Sequence, residues 1–321
     1  MKILITGGTG FLGRSFLRRL MDTNGLKENT ITVLSSGRTQ PLEFQMPNVS
    51  YIKIDLAQDS PQEKINGMEF DVLIHLATSS TLGPSFGALK VYNDIINIDK
   101  NVLRIAKNCK CGKLIWASSG AVYGRNQIGK PSTEDEVINI EDVATESAYR
   151  IGKIQSEFHV LKFAEEHDIN LEIIRLFTFS GIDLPLNVHF ALGDFISSVI
   201  ARQEININGT GKAIRSYLDQ VDFSEILLKL VTNTSPKKRI LNVGSPFPIS
   251  LEKLALVISE EYQSLSGLKS QIKINNKILD SQNYYVPSMV KLIDELKIEK
   301  FIDIQESVSL MLRSAEGKLK R

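Results

Sequence analysis

Of the eight tyrosines in the chain, only Tyr149 has a lysine four residues on, in Tyr149-Arg150-Ile151-Gly152-Lys153. On a helix this spacing brings both side chains to one face, about 6 Å apart along the axis. A phenol with an ordinary pKa near 10 is a poor proton carrier at neutral pH, and a neighbouring ammonium favours its ionised form. At an effective dielectric near 20, a unit charge at ~4 Å is worth roughly 4 kcal/mol, about three pK units before solvent reduces it. The pair is therefore a candidate acid/base device. A second signature opens the chain: Thr6-Gly7-Gly8-Thr9-Gly10-Phe11-Leu12-Gly13 lies between an apolar run and an amphipathic stretch. Glycines at 7, 10 and 13 permit a tight turn, close approach of a pyrophosphate, and close packing of helix on strand, with the helix N-terminus facing the anion.

Both signatures need a scaffold. Short apolar runs at residues 2–6, 31–34, 51–54, 72–76 and 113–117, undiluted by polar alternation, predict strands of a parallel sheet buried on both faces. Residues 11–21 and 95–108 carry apolar side chains at helical spacing between them, which implies right-handed crossovers. The expected fold class is α/β, a doubly wound parallel sheet of Rossmann type over residues 1–176. A smaller C-terminal α/β substrate lobe is expected over 177–321, with some of its segments returning to pack on the first domain. Gly181, Pro185, Gly193, Gly209 and Gly211 break the pattern there, and helices are expected at 251–262 and 289–296. A ligand is expected in the cleft between the lobes.

Composition excludes other classes. With 321 residues, 42% hydrophobic and 23% charged, the chain has the profile of a soluble globular protein. A net charge of +1 gives no sequence-independent pull toward nucleic acid or an anionic membrane surface. No apolar run approaches the roughly 18 to 20 residues that span a bilayer, and the N-terminus lacks the features of a signal peptide, so a cytoplasmic location is expected. Cys109 and Cys111 suit neither a disulfide framework nor a four-ligand zinc site; a reduced pair and no bound metal are expected.

The spacing Gly7-x-x-Gly10-x-x-Gly13 resembles that of the extended short-chain dehydrogenase/reductases. Trp116-Ala117-Ser118-Ser119-Gly120-Ala121-Val122-Tyr123-Gly124 resembles the family's Ser-Ser-x-x-Val-Tyr-Gly segment. Ser119 then takes the place of the catalytic hydroxyl, and Tyr149 and Lys153 follow in family order. The likeness covers residues 1 to about 260. It implies a nicotinamide cofactor held by Gly7, Gly10, Phe11, Leu12 and Gly13, by Asp55 and Leu56 at the adenine edge, by Leu76, Ala77 and Thr78, and by Tyr149 and Lys153. Asn101 either aligns with a family asparagine that braces the site or is a helix-surface amide. At the end of the second strand a carboxylate would accept from a ribose 2′-OH and repel a 2′-phosphate. Leu34-Ser35-Ser36-Gly37-Arg38 offers instead the hydroxyls of Ser35 and Ser36 and the guanidinium of Arg38. NADP(H) is favoured, with NAD(H) the alternative if Arg38 is a solvated loop residue.

For the substrate, Asn208 to Leu218 resembles the family stretch ending in an arginine on the sugar-nucleotide pyrophosphate, here Arg215; the alternative is a surface turn followed by a structural arginine. Ser79 and Ser80 either line the sugar pocket or cap a turn. Thr178 stands where the family often has asparagine, and His189 either reaches the substrate or is structural. Asp222 matches an acidic family position and is expected to cap the following helix. Tyr284-Tyr285-Val286-Pro287 looks like a subset of bacterial deoxysugar reductases and epimerases. Related dehydratases carry an acidic pair after the serine, and related decarboxylases an acid at the second of those positions. Gly120 and Ala121 provide neither. The leading expectation is an NADPH-dependent reductase of a nucleoside-diphosphate 4-keto-6-deoxyhexose. The alternatives are a nucleotide-sugar 4-epimerase with bound NAD and, as a minor one, a non-catalytic NADP sensor. The resemblance also implies a homodimer through the helices near 95–108 and 149–165.

Overall fold

The structure is a computed structural model that describes residues 1–23, 29–37, 48–58, 62–78, 87–124, 129–140, 147–186, 190–233, 238–275 and 284–319. The chain divides into two compact units. The first comprises Met1–Gly124, Ile138–Leu176 and Ser224–Leu241; the second comprises Arg125–Val137, Phe177–Phe223 and Asn242–Arg321.

The first unit is built on β1 (Lys2–Thr6), β2 (Thr30–Ser35), β3 (Val49–Lys53), β4 (Val72–His75), β5 (Lys113–Ser119) and β6 (Asn170–Leu176). With β10 (Lys238–Val243) they make a seven-stranded sheet in the order β10-β6-β5-β4-β1-β2-β3. The pairings β1–β2, β2–β3, β1–β4, β4–β5 and β5–β6 are parallel. Order reverses between β1 and β4, the switch point at which doubly wound sheets bind ligands. Register explains the apolar runs. Leu4, Leu73, Leu114 and Leu171 are cross-strand neighbours in one row, and Ile5, Ile74 and Ile115 form the next row, on the opposite face. All seven are fully buried, each worth about 1.5 to 3 kcal/mol of transfer from water.

Helices cover the faces. α1 (Phe11–Asp22) follows β1, a short α2 (Gln62–Ile65) precedes β4, α3 (Ala88–Asn108) precedes β5, and α4 (Ala148–Glu166) precedes β6. Val102, Ile105 and Ala106 of α3 pack in one cluster with Val160 and Ala164 of α4 and with the leucine row. Cys109 and Cys111 close this cluster as buried free thiols. Burial pushes both thiols up, Cys111 to about 12, which removes them from nucleophilic chemistry at neutral pH.

In the second unit β9 (Ile214–Asp219) is central. β7 (Thr178–Ser180) and β13 (Tyr284–Tyr285) pair with it in parallel and β11 (Pro248–Ser250) antiparallel, while β8 (Ile205–Asn208) pairs with β12 (Ile272–Asn275). α5 (Ala191–Ile200), α7 (Leu251–Ser266), α8 (Val290–Leu296) and α9 (Ile304–Leu319) also belong to this unit, and α6 (Gln220–Thr232) runs from it into the first. The cap of α6 is Asp219, whose carboxylate accepts from the Val221 N–H at 2.8 Å. Asp222 corrects the expectation set for it: it lies inside the helix, and its carboxylate accepts from the Ile302 N–H at 2.8 Å.

Candidate active site

The glycine turn is fixed by contact. Gly7 has φ +72°, and a Cβ on it would lie 2.7 Å from the Ala77 nitrogen; one on Gly13 would lie 2.4 Å from the Gly8 Cα. No side chain fits either place. The turn closes with Gly10 N–H donating to the Gly7 carbonyl at 2.9 Å. Gly10 caps α1 with no side-chain cap bond and no acid in the first turn, so the positive end of the helix carries no built-in anion. Phe11 and Leu12 form that first turn, half-buried.

Around the turn stand the ends of four strands. Ser35 is buried and its hydroxyl bonds that of Thr9 at 2.9 Å, while Ser36 is exposed. After β3, Asp55 accepts from the Ala57 N–H at 3.0 Å and Leu56 is buried. Asn101 is no surface amide: it is buried on α3, and its Nδ2 donates to the Leu56 carbonyl at 2.9 Å, so it acts on the loop that carries Asp55 and Leu56. After β4 come Leu76, Ala77 and Thr78, and the Thr78 Oγ1 is a buried oxygen with no hydrogen-bond partner among the described residues. Arg38, Ser79, Ser80 and His189 lie outside the described residues.

Ser119 ends β5, 7% exposed, and its Oγ accepts from the Ala121 N–H at 3.1 Å as the cap of a single 3-10 turn, Gly120–Tyr123. Tyr149 is half-buried in the first turn of α4, which Ser147 caps through the Arg150 N–H at 3.1 Å. Lys153 is 2% exposed, its Nζ donates to the Ala117 carbonyl at 2.9 Å, and the same atom lies 6.0 Å from the centroid of the Tyr149 ring. The hydroxyl, phenol and ammonium thus stand on two elements fastened to each other. Tyr51 and Tyr217 are pushed up to about 12 by burial and make poor proton carriers at neutral pH.

The fastening was not anticipated from sequence. Trp116 Nε1 donates to Ser156 at 2.8 Å and Ser118 Oγ to Glu157 at 2.5 Å. Arg175 of β6 grips both Glu157 oxygens at 2.9 and 2.8 Å and donates to the Tyr123 hydroxyl at 2.8 Å. Burial opposes the guanidinium's charge, but its bonds to Glu157 hold its pKa above the ordinary value. Arg150, beside Tyr149, donates to the Val122 carbonyl at 3.2 Å and the Asn139 carbonyl at 2.7 Å. The signal was present: Arg175 interrupts the apolar run Ile173-Ile174-Arg175-Leu176, and a charge in a doubly buried strand requires a partner.

In the second unit, Arg215 is paired in register with Tyr285 on one side and Ile249 on the other. Its guanidinium lies 5.7 Å from the Tyr285 ring, which in turn packs on Phe177 at 4.7 Å, and its Nη1 donates to the Ile214 carbonyl at 2.9 Å. The Thr178 hydroxyl donates to the Ser216 carbonyl, so it locks β7 to β9. No group of three or more metal-ligating side chains occurs among the described residues.

A sequence model described as the NAD dependent epimerase/dehydratase family matches residues 3–244. The chain belongs to that family. It is an enzyme of the NAD dependent epimerase/dehydratase type. UDP-glucuronic acid decarboxylase 6 of Arabidopsis thaliana is 24% identical over 97% of this chain and 88% of its own length. The UDP-glucose 4-epimerase of Thermotoga maritima, solved with UDP-glucose, superposes with a TM-score of 0.83 at 19% identity, over 99% of this chain and 100% of that one. The UDP-glucose 4-epimerase of Thermus thermophilus, solved in complex with NAD, gives 0.81 at 18% identity, covering 99% of each chain. At these identities the solved structures establish the fold, a Rossmann-like sheet with flanking helices.

Proposed function

We propose that this member of the family is an oxidoreductase of nucleotide-linked sugars, and specifically a reductase that uses NADPH to convert a nucleoside-diphosphate 4-keto-6-deoxyhexose into its alcohol. The residues present fit a dinucleotide. Gly7, Gly10 and Gly13 make a cradle that side chains would fill, the α1 N-terminus has no acid of its own, and the buried Thr78 Oγ1 has no partner among the described residues. When bound, the nicotinamide supplies the hydride. Tyr149 gives its phenolic proton to the sugar oxygen as charge develops there, and Ser119 Oγ hydrogen-bonds the same oxygen. Lys153 uses one of its three donors on Ala117, which would leave the others for the phenol and for the nicotinamide ribose of a bound dinucleotide. Arg215 provides the cation for the substrate pyrophosphate.

The observation that carries the choice of reaction is the pair after Ser119. Gly120 is buried without a side chain, and Ala121 uses its N–H on Ser119. Neither can move a proton, which disfavours water elimination and decarboxylation even though the Arabidopsis relative is named a decarboxylase. The absence of a carboxylate at Ser35, Ser36 and Gly37 favours NADPH. A 4-epimerase with bound NAD is the second reading, since it would use Ser119, Tyr149 and Lys153 and needs no acid at Gly120 or Ala121. Incubation with a 4-keto sugar nucleotide and NADPH separates the two: the reductase consumes absorbance at 340 nm. No loss, together with isomerisation of a non-keto sugar nucleotide on catalytic cofactor, establishes the epimerase instead. No helix among the described residues is long and apolar enough to cross a membrane. A homodimer through α3 and α4 is also proposed, since Leu89 and Phe158 are 71% and 58% exposed on them; light scattering at the monomer mass would overturn it.

A further inference from the structure

Behind the glycine turn runs a buried polar chain that the proposed chemistry does not use. His75 ends β4, fully buried, and is the register partner of Thr6 at the end of β1. Its Nε2 lies 3.2 Å from Asp99 Oδ1 on α3, and its Nδ1 lies 2.7 Å from Thr6 Oγ1. Thr6 Oγ1 also accepts from the Ala77 N–H at 3.3 Å. Donor and acceptor roles follow from the ends of the chain. A carboxylate offers only acceptors, so His75 donates from Nε2; its Nδ1 then accepts the Thr6 hydroxyl proton, which leaves a Thr6 lone pair to face Ala77. The ring packs on Trp116 at 4.2 Å between centroids. Burial depresses the imidazole's basicity, in keeping with a neutral ring of one tautomer. Asp99 keeps its second oxygen, Oδ2, buried without a partner among the described residues. An apolar residue in its place would spare the fold a buried charge.

The chain ends where the glycine turn is pressed. The Ala77 nitrogen is the atom that a Cβ on Gly7 would meet at 2.7 Å, so the height of the Leu76–Thr78 loop sets the position of the turn. We propose that Asp99 and His75 are positioning residues for the dinucleotide, which orient the Thr6 hydroxyl and through it hold the Leu76–Thr78 loop against the glycine turn. The proposal rests on the dinucleotide reading given above and adds to it residues that touch neither cofactor nor substrate.

The test compares Thr6→Val, Thr6→Ser and His75→Phe with the wild-type full chain, measuring dissociation constants for NADPH and NADH by nucleotide fluorescence and the melting temperature without nucleotide. Thr6→Val and His75→Phe keep the shape and remove the chain. Each is expected to weaken nucleotide binding about tenfold, and the double variant no further than either alone, since both break one chain. Thr6→Ser restores the hydroxyl and is expected to bind within about twofold of wild type. Affinities equal to wild type in Thr6→Val and His75→Phe, with only the melting temperature lowered, would overturn the proposal and leave the dinucleotide reading intact. A wild-type chain that binds neither nucleotide would overturn both. If His75→Phe does not fold, the valine and serine pair at Thr6 decides alone.

Discussion

A half-buried phenol earns a role in proton transfer only if something fixes it, and at Tyr149 that something is the next turn of its own helix. Lys153 is held by the Ala117 carbonyl at 2.9 Å, so its charge stands at a fixed distance from the ring. Replacing Tyr149 with Phe removes the proton and little else; turnover should fall by ~10²- to 10⁴-fold with nucleotide affinity kept, measured by single-turnover absorbance and by titration. A protein that only sensed the redox state would keep its output in the same variant. Glu157 is the other residue on which the geometry hangs. It holds Arg175 with two bonds and accepts a hydrogen bond from the hydroxyl of Ser118, next to Ser119. Glu157→Gln leaves a guanidinium 3% exposed without its counter-charge. That should cost about 3 to 5 kcal/mol of stability, read by urea denaturation, where a loss below about 1 kcal/mol would show that Arg175 finds its compensation elsewhere.

At the scale of elements, the junction of β1 with α1 is set by the absence of atoms. Gly13→Ala puts a Cβ 2.4 Å from the Gly8 Cα and 2.5 Å from the Gly7 oxygen, both backbone atoms of the turn itself. The helix must move off the strand, and nucleotide affinity should drop by about 100-fold, the order expected of an ångström-scale misplacement. Gly112→Ala is the control, since its Cβ would rest 3.5 Å from the Asp71 oxygen; titration should find it unchanged. This junction was legible in the sequence because glycine spacing and an apolar run are local signals. So were the first five strands: the run at 113–117 is the start of β5, and the run at 72–76 overshoots β4 by one residue. α3 is longer than the run at 95–108, starting at Ala88: Ala88, Val91 and Tyr92 continue the helical spacing back from Ile95, but of the seven residues 88–94 only Val91 is buried. α5 and α9 were not anticipated. The fastening of α4 was not legible either. Glu157 and Arg175 are 18 positions apart on a helix and a strand, and no periodicity within one element encodes a bond between two. His75 and Asp99 hid for the same reason, on β4 and α3.

Across the whole molecule, buried titratable groups set how stability answers to acid, and two of them pull in opposite directions. His75 in the first unit is fully buried; desolvation lowers its pKa below 6.5, the bond and charge of Asp99 oppose this, and Lys153 adds to it. Its folded pKa thus lies below the unfolded one. Above pH 6.5 both states are neutral, but as pH falls through 6.5 the unfolded chain binds a proton that the folded chain refuses. Stability drops, at up to ~1.4 kcal/mol per pH unit, until the folded pKa is reached. Asp219 in the second unit behaves in the contrary sense. Burial raises its carboxyl above 3.8, opposed by the bonds from Ser307 and Val221 and helped by Glu306. Its folded form takes up a proton before the unfolded form does, so its contribution improves as pH falls from the raised value toward 3.8. Calorimetry from pH 7.5 downward should therefore find Asp219→Asn losing stability toward acid more steeply than wild type, and His75→Phe less steeply in the window just below 6.5. Parallel slopes for wild type and His75→Phe would mean that the imidazole takes its proton as readily folded as unfolded. Below pH 6.5 Asp99 would then be its counter-charge, and the Thr6 hydroxyl would lose there the lone pair it points to.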